Sequence, residues 1–417
     1  MSEMINEKIT AGPPASAVEA ASVEIPAYMP RQTFGQLLRG DLGFLPVMMT
    51  LVVIAIYFEI ASGGFFLLPR NLSNLVLQIA SIAVDSLGVT LVLLLGEIDL
   101  SVAAVGTLGA VVMGVLSARA GFPAWAAITL ALGAGALVGC INGLFIAVLR
   151  IPSFIVTLAA FIGYEGLLLL LLNGQATLII NDPAINGIAG SPYSFLPWYL
   201  GFGLPSLALV LYIGGILLDQ VNRRRAGLRT KPFCQLIAQI VAVVVIVEGA
   251  VVLFENYLGV PYSTAILFFL ILFFWLILTK TPFGRHIYAV GGSAEAARRA
   301  GINVVGIRIA AFTLCSTLAV VGGILGASRE TAVSSQVDPL LLLQAIAAAV
   351  IGGVSLFGGR GSVWSIILGA LIIGSLVNGL ALLNGTQATE EMIEGAVLLL
   401  AVTVDAVVRR AQARSGR

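Results

Sequence analysis

Apolar stretches of about 20 residues recur along nearly the whole chain, and a helix of that length can cross a bilayer. Of the 417 residues, 59% are hydrophobic and 10% are charged, whereas soluble domains carry about 25% charged residues. The sequence therefore predicts an all-α polytopic membrane protein with about 10–12 transmembrane helices. The apolar runs lie near residues 44–66, 73–95, 100–118, 123–149, 154–173, 203–218, 235–256, 264–279, 305–327, 340–357, 363–383 and 390–408.

The two ends of the chain differ in composition from its middle. Residues 1–42 are polar and rich in Ala, Pro and Glu, without the compact apolar core that follows a basic start in a signal peptide. We predict a disordered cytoplasmic tail over residues 1–42, a transmembrane domain over residues 43–408 and a basic cytoplasmic tail over residues 409–417. A charged, glycine-punctuated loop, residues 284–304, interrupts the transmembrane domain.

Positive charges are distributed unequally between alternate turns. If the amino terminus lies inside, the outward-facing turns hold only Arg70, Arg119 and Arg329 of the 22 lysines and arginines. Cytoplasmic loops carry the excess of Lys and Arg in membrane proteins. The pattern predicts that both termini and the loop 284–304 are cytoplasmic.

Two short glycine-containing motifs recur in the two halves of the chain. A Gly-x-[Ile/Val]-x-Leu pattern begins at Gly96 and at Gly352, and an Asn-Gly-Leu triplet follows each, at Asn142 and Asn378. Matching breaks in two halves are typical of transporters whose pathway lies between repeats. The alternative is chance, because the chain has 47 glycines. We predict two weakly repeated halves with broken helices, the breaks being formed by Gly96, Glu97, Asp99, Ser101, Gly352, Gly353 and Ser355.

Polar side chains inside apolar runs are candidates for a translocation pathway, because each should face a protein or water-filled interior. They are Asp85, Asn142, Glu165, Glu248, Gln344 and Asn378. Of these, we assign Asp85, Asn142, Gln344 and Asn378 to the pathway. The competing interpretation is that each joins two helices through a hydrogen bond worth about 0.6–2 kcal/mol. Asp99, just ahead of Ser101 and a new apolar run, is better explained by capping of a helix start.

The loop 284–304 is amphiphilic and can hold a short helix around Glu295-Ala296-Ala297, in which Arg299 lies one turn after Glu295 and can pair with it. A short helix between flanking glycines suits docking onto a soluble partner. The plainer alternative is a cytoplasmic loop retained by its basic residues. The docking set comprises Gly284, Arg285, Gly292, Glu295, Ala296, Ala297 and Gly301.

Several function classes are disfavoured by the composition. The net charge of +1 leaves no basic surface for nucleic acid. Cys140, Cys234 and Cys315 lie far apart and accompany a single histidine, His286, which is neither a disulfide framework nor a metal-ligand spacing. The chain lacks a phosphate-loop lysine motif and a catalytic constellation, so we expect neither a catalytic nor a metal site, and energy from ATP must come through another subunit.

Two further patterns concern packing. Gly135, Gly139 and Gly143 recur at every fourth residue, which permits a close approach of two helix backbones, either within one subunit or across a dimer. Asp405 and Arg409 are spaced for a one-turn ion pair.

Five motifs in order resemble those of one known family, from about Asn71 to Arg410. They are Gly96-Glu97-Ile98-Asp99-Leu100-Ser101-Val102, Asn142-Gly143 leading to Ile151-Pro152-Ser153-Phe154-Ile155-Val156-Thr157-Leu158, the loop 284–304, Gly352-Gly353-Val354-Ser355-Leu356, and Asn378-Gly379 with Leu398-Leu399-Leu400-Ala401-Val402. The chain resembles the permease subunit of bacterial ATP-binding-cassette (ABC) monosaccharide importers, the ribose/xylose group.

Within that group the chain is most similar to xylose-type permeases, which carry Glu at position 97 and an extra section matched here by residues 203–262. Two positions depart from the pattern. Gln344 stands where the family usually has an acidic residue, and Val377 stands where xylose-type relatives often have Asp.

The resemblance implies a transport subunit of the bacterial inner membrane that contains no cofactor of its own. Two permease copies would form one pathway within the membrane lipid, a periplasmic or extracellular sugar-binding protein would dock on the outer loops, and an ABC ATPase subunit holding ATP and Mg would dock on Glu295-Ala296-Ala297. The expected cargo is a neutral pentose or hexose, D-xylose first. An ion-coupled secondary sugar transporter would also have about twelve spans with repeats, and a membrane-embedded enzyme ranks third.

Overall fold

The computed structural model describes residues 45–190, 194–228, 230, 232–386, 388–397, 399–400 and 403. The predicted tails, residues 1–42 and 409–417, and the predicted Asp405–Arg409 pair lie outside these residues. Within the described part the protein is helical, apart from two strands of three residues each. The helices are α1 (Leu45–Ala61), α2 (Pro69–Leu93), α3 (Val102–Ala118), α4 (Ala124–Ala147), α5 (Ser153–Leu171), α6 (Pro183–Asn186), α7 (Trp198–Arg225), α8 (Phe233–Glu255), α9 (Tyr262–Lys280), α10 (Pro282–Gly292), α11 (Ala294–Arg299), α12 (Val304–Glu330), α13 (Pro339–Ile351) and α14 (Ser365–Leu382).

The predicted apolar runs coincide with these helices. Eleven runs correspond to α1–α5, α7–α9 and α12–α14, and the described residues of the twelfth, 390–397, 399–400 and 403, are also helical. Among the described residues, eight helices are long and apolar enough to cross a membrane: α2, α4, α5, α7, α8, α9, α12 and α14. The helices α1, α3 and α13 are apolar but shorter. The predicted all-α polytopic membrane fold is confirmed.

Local sequence explains where several helices begin. Proline occupies the first turn of α2, α10 and α13, where its missing N–H has no partner to lose. Side chains cap other starts: Asn303 accepts a hydrogen bond from the N–H of Gly306, and Asp338 accepts one from Leu340. Of these, the starts of α10 and α12 lie at the end of the bundle that carries the site.

The centre of the bundle is α12, which packs against α2, α3 and α4. The glycine series of α4 faces it: a Cβ added at Gly139 would lie 2.5 Å from the carbonyl oxygen of Phe312 and 2.7 Å from the Ser316 side chain. The close approach predicted from Gly135, Gly139 and Gly143 is thus formed within one subunit. By contrast, only 11% of the most apolar part of α7, and likewise of α8, is buried, so this pair lies at the edge of the bundle.

The sequence analysis did not predict the two strands, β1 (Thr177–Ile179) and β2 (Ala332–Ser334), which pair antiparallel with Leu178 opposite Val333. They follow α5 and α12, so they mark one end of the bundle, here named the strand end. At the opposite end α2, α4 and α9 finish and α3, α5 and α12 begin; we name it the break end.

The described basic residues separate between the two ends as the sequence predicts. Arg70, Arg119 and Arg329 belong to the strand end, through the start of α2, the end of α3 and the end of α12. The others lie in terminal turns of helices or in loops at the break end: Arg150, Arg223, Arg224, Arg225, Lys280, Arg285, Arg298, Arg299, Arg308 and Arg360.

Candidate functional site

The two predicted helix breaks lie against each other at the break end. The first break loop, residues 94–101, joins α2 to α3, and the second break loop, residues 352–364, joins α13 to α14. The N–H of Gly359 donates a hydrogen bond to the carbonyl oxygen of Leu94 over 2.9 Å. Gly96 adopts a left-handed φ of 75°, and a Cβ there would lie 3.1 Å from the Phe357 carbonyl oxygen. The matched motifs of the two halves therefore meet in space.

The helix α10, which opens the predicted cytoplasmic loop, packs on both break loops at once. A Cβ added at Gly358 would lie 2.8 Å from the nitrogen of Gly96 and 2.9 Å from the carbonyl oxygen of Gly291. Three backbones thus approach closely because none of these positions carries a side chain. The Tyr288 hydroxyl also donates to the Gly361 carbonyl oxygen over 2.9 Å. Burial of the Tyr288 side chain raises its pKa above the usual value, so the donor stays protonated.

The short helix α11 carries the predicted docking residues. Glu295 and Arg299 form the predicted one-turn ion pair at 2.6 Å, and both side chains are exposed. Ser293 caps the helix through the N–H of Ala296. Glu295 and Ala296 are exposed, whereas Ala297 is only 4% exposed and packs into the core. The exposed side of α11 therefore presents Glu295 and Ala296, and the assignment of Ala297 to the docking set stays a prediction.

The other predicted docking residues frame α11. Arg285 and Gly292 are exposed on α10, and Gly301, with a φ of 84°, follows the end of α11. Gly284 is buried directly against the backbone of Leu278, which permits the tight turn from α9 into α10. Gly284 therefore shapes the turn that orients the loop.

A partly buried ion pair links the first break loop to α12. Glu97 and Arg308 approach to 3.0 Å, with side chains 17% and 24% exposed. The sequence analysis did not single out Arg308. The sequence did contain an indication of its role: Arg308 is a lone arginine in the second turn of an otherwise apolar run, where a charge is costly without a partner.

A chain of hydrogen bonds extends from the first break loop into the bundle. Asp99 accepts from both the N–H and the hydroxyl of Ser101, at 2.8 and 2.6 Å, immediately before α3. Asn142 on α4 donates to Ser101 over 3.3 Å and accepts from the Tyr164 hydroxyl over 3.0 Å. Asp99 therefore holds the start of α3, and Asn142 joins three elements.

The remaining assigned pathway residues do not gather in one cluster with Asn142. Asn378 accepts a hydrogen bond from Asn71 over 2.8 Å, joining α14 to α2. Gln344 donates to Glu394 over 2.9 Å, joining α13 to the last described helical segment. The geometry of these two, like that of Asn142, is that of side chains joining helices.

Asp85 differs from the other assigned residues. It is 2% exposed on α2, its carboxylate lies against Gly322 of α12, and its Oδ1 has no hydrogen-bond partner among the described residues. Next to it, the Ser81 hydroxyl donates to the Gly322 carbonyl oxygen over 2.7 Å. Asp85 therefore marks a polar point inside the α2–α12 contact.

The two acids not assigned to the pathway, Glu165 and Glu248, are partly buried on α5 and α8. The Ser206 hydroxyl donates to Glu248 over 2.8 Å, which joins α7 to α8. No group of three or more His, Cys, Asp or Glu side chains suited to a metal ion occurs among the residues that the structure describes.

Comparison of the sequence with known proteins shows the family. Residues 71–402 match the family described as "Branched-chain amino acid transport system / permease component". The xylose transport system permease protein XylH of Escherichia coli (strain K12) is 35% identical over 361 residues, which are 86% of this chain and 91% of that protein.

Two other permeases are similar over almost the same length. The fructose import permease protein FrcC of Rhizobium meliloti is 30% identical over 88% of this chain and 86% of its own. The ribose import permease protein RbsC of Escherichia coli (strain K12) is 32% identical over 85% of this chain and 91% of its own. No solved structure matches the chain.

The matches confirm the resemblance drawn from the five motifs, and the apolar helices make the chain a multi-pass membrane protein. The protein belongs to the family of permease components of branched-chain amino acid transport systems.

Proposed function

We propose that this chain is the membrane-spanning permease subunit of an ATP-driven importer for a neutral monosaccharide, with D-xylose first among the candidates. The observation that carries the proposal is the contact of α10 with both break loops, through Gly291 and through Tyr288. A force applied to the predicted docking loop reaches both halves of the bundle at one point. A permease driven by a separate motor subunit needs such a connection.

The proposed partners are assigned to opposite ends of the bundle. An ABC ATPase subunit, which binds ATP and Mg, docks on the exposed side of α11 around Glu295 and Ala296. A sugar-binding protein docks at the strand end, where β1, β2 and α6 form the surface. Two copies of the permease share one pathway, and ATP binding and hydrolysis shift the bundle between outward- and inward-open states through differential contacts with the partners.

The proposed location is the bacterial inner membrane, with both termini and the break end in the cytoplasm. The support is the separation of basic residues between the two ends of the bundle.

The relatives, rather than the polar side chains, favour a sugar. The family description names branched-chain amino acids, whereas the three similar permeases are named for xylose, fructose and ribose. Asn142, Gln344 and Asn378 are already hydrogen-bonded within the protein, so they do not discriminate between these cargoes.

The test is reconstitution of the permease in vesicles with the ATPase subunit and the soluble binding protein of the same importer. We expect ATP-dependent uptake of D-xylose, with competition by unlabelled pentoses and none by L-leucine. Uptake of leucine in place of any monosaccharide would refute the sugar assignment while retaining the importer. Absence of ATP dependence would refute the importer itself.

The second candidate is an ion-coupled secondary sugar transporter, and the observation that favours it is the buried carboxylate of Asp85. In that case a proton or sodium gradient drives uptake by the permease alone in ATP-free vesicles, and Asp85→Asn abolishes the coupling. We expect no gradient-driven uptake from the isolated chain.

A further inference from the structure

A cleft of about 190 Å³ opens at the break end, beside the turn between α4 and α5. Three of its charged lining residues are arginines from three different elements: Arg150 from the turn, Arg298 from α11 and Arg308 from α12. Among the described residues, Glu97 supplies the one carboxylate that lines the cleft. The remaining lining residues are Ile146, Ala147, Ile151, Pro152, Val304 and Val305.

Positive charge in the cleft exceeds what Glu97 neutralises. Glu97 pairs with Arg308, and the Nε of Arg308 is still buried without a hydrogen-bond partner among the described residues. Arg150 and Arg298 are exposed and, within the same residues, form no ion pair. The cleft therefore offers guanidinium donors to an anion, and planar guanidinium groups match the geometry of phosphate oxygens.

The surface beside the cleft is apolar and exposed. On the α4 side, Phe145, Val148 and Leu149 are exposed by 45%, 55% and 61%. On the α5 side, Phe154 and Ile155 are similarly exposed. The 24 residues of α4 extend over about 36 Å, longer than the hydrocarbon core of about 30 Å. The turn at Arg150 therefore lies at the depth of lipid headgroups, with hydrocarbon directly beside it.

We propose that this cleft is a binding site for a net-anionic phospholipid, whose headgroup phosphate contacts Arg150 and Arg298 while its acyl chains lie on the exposed faces of α4 and α5. Basic pockets at the end of transmembrane helices provide the charge that such headgroups require. A carboxylate from a soluble partner would satisfy the arginines but would leave Val148 and Leu149 without a counterpart. Because Arg298 belongs to α11 and Glu97 to the first break loop, the lipid would lie between the docking helix and the break.

The experiment uses the full chain, purified and exchanged into nanodiscs that contain equal amounts of phosphatidylglycerol and phosphatidylcholine with identical acyl chains. Lipids retained on the protein after ejection are counted by native mass spectrometry. Arg150→Asn removes one charge while keeping a residue that tolerates the left-handed φ of 57°. Arg298→Gln removes a second, exposed charge from another element. The matched control is Arg285→Gln, an exposed arginine of α10 that does not line the cleft.

Each cleft variant should lower the preference for phosphatidylglycerol about fivefold, as expected for the loss of one arginine near a headgroup, and the control should leave it unchanged. Thermal unfolding in phosphatidylcholine alone should be the same for all variants, which shows that the fold is intact. An unchanged preference in both cleft variants would overturn the proposal. Displacement of phosphatidylglycerol from the cleft by inorganic phosphate would also overturn it, because it would reveal a site for free anions. So would a change in lipid preference that the arginine substitutions cause only when the ATPase subunit is bound.

Discussion

The Tyr288 hydroxyl donates a hydrogen bond to the carbonyl oxygen of Gly361 over 2.9 Å, and this bond ties α10 to the second break loop. Its neighbour on the same helix, Gly291, lies against the first break loop at Leu94. One helix of eleven residues therefore contacts the corresponding breaks of both halves of the chain.

Removing this hydrogen bond should weaken the coupling between ATP hydrolysis and transport. Tyr288→Phe keeps the ring and loses a hydrogen bond that contributes about 0.5–1.5 kcal/mol. We expect sugar-stimulated ATP hydrolysis in vesicles to fall while assembly persists. Tyr199→Phe, at an exposed position of α7, is the control and should have no effect. Equal coupling in both variants would show that the bond is incidental.

The same bond should be insensitive to pH across the physiological range. Burial raises the pKa of Tyr288 above its usual value of about 10. The folded protein favours the neutral phenol. The contribution of Tyr288 to stability is therefore complete below its unfolded-state pKa and declines only as the pH rises beyond that value. Coupling of the wild type, relative to Tyr288→Phe, should be constant between about pH 6 and pH 9. A decline in coupling within that interval would show that a group other than Tyr288 titrates there.

The Glu97–Arg308 pair should behave as a unit. Either single change, Glu97→Gln or Arg308→Gln, leaves one partly buried charge without its partner and should destabilise the protein by about 1–3 kcal/mol. The double variant should be more stable than the sum of the single effects predicts. Unfolding of the four proteins in nanodiscs completes the double-mutant cycle, and strictly additive effects would contradict the interaction.

Two glycines on α4 provide a matched comparison of close helix packing. Gly139→Ala places a methyl group against Phe312 and Ser316 of α12, whereas Gly133→Ala meets no atom within 4 Å. The first should destabilise the bundle by about 1–3 kcal/mol, and the second should stabilise α4 by up to about 1 kcal/mol through helix propensity. Resistance to thermal unfolding measures both, and effects of the same sign would refute the assigned contact.

Neighbouring alanines of α11 should separate docking from folding. Ala296→Trp changes an exposed surface and should abolish ATPase coupling while the permease remains folded. Ala297→Trp must enter the core and should reduce the amount of folded protein. Ala226→Trp, exposed after α7 at the break end and outside the predicted docking set, is the control for a bulky surface residue. If Ala296→Trp retained full coupling, α11 would not be the docking element.

Asn378 tests whether an assigned pathway residue is a structural contact. Asn378→Leu removes the acceptor of Asn71, and an intramembrane hydrogen bond of this kind contributes about 0.6 kcal/mol on average. We expect Asn71→Leu, which also loses a hydrogen bond to the Phe66 carbonyl oxygen, to destabilise the protein more than Asn378→Leu, and the two effects to be non-additive, with normal sugar flux per assembled permease. A selective loss of flux in Asn378→Leu alone would support the pathway assignment.

The features that sequence predicted well depend on residues close together in the chain. The helices were predicted from runs of apolar residues, the Glu295–Arg299 pair from a spacing of one turn, and the breaks from glycine motifs. The partners of Asn142 and Asn378 could not be foreseen, because Tyr164 and Asn71 lie on other helices and only the folded bundle selects them.

Which residues of a short helix are buried could not be predicted from the sequence either. The sequence Glu295-Ala296-Ala297 does not distinguish the exposed alanine from the buried one, because the orientation of α11 depends on α10 and α12, between which it lies in the chain. The strands β1 and β2 were missed because three residues in a connecting segment are too few for a periodic pattern.

The exposure of α7 and α8 has a consequence for how the sequence of this protein can diverge. Most side chains of this pair contact few others, so selection there acts on average hydrophobicity and on length more than on shape. On α12, a Cβ added at Gly322 would clash with the Asp85 side chain and one added at Gly323 would clash with the Gly106 backbone, so larger residues do not fit at these positions. Natural variants should therefore accumulate substitutions rapidly along residues 198–255 and slowly along residues 304–330, although both segments have a similar overall composition.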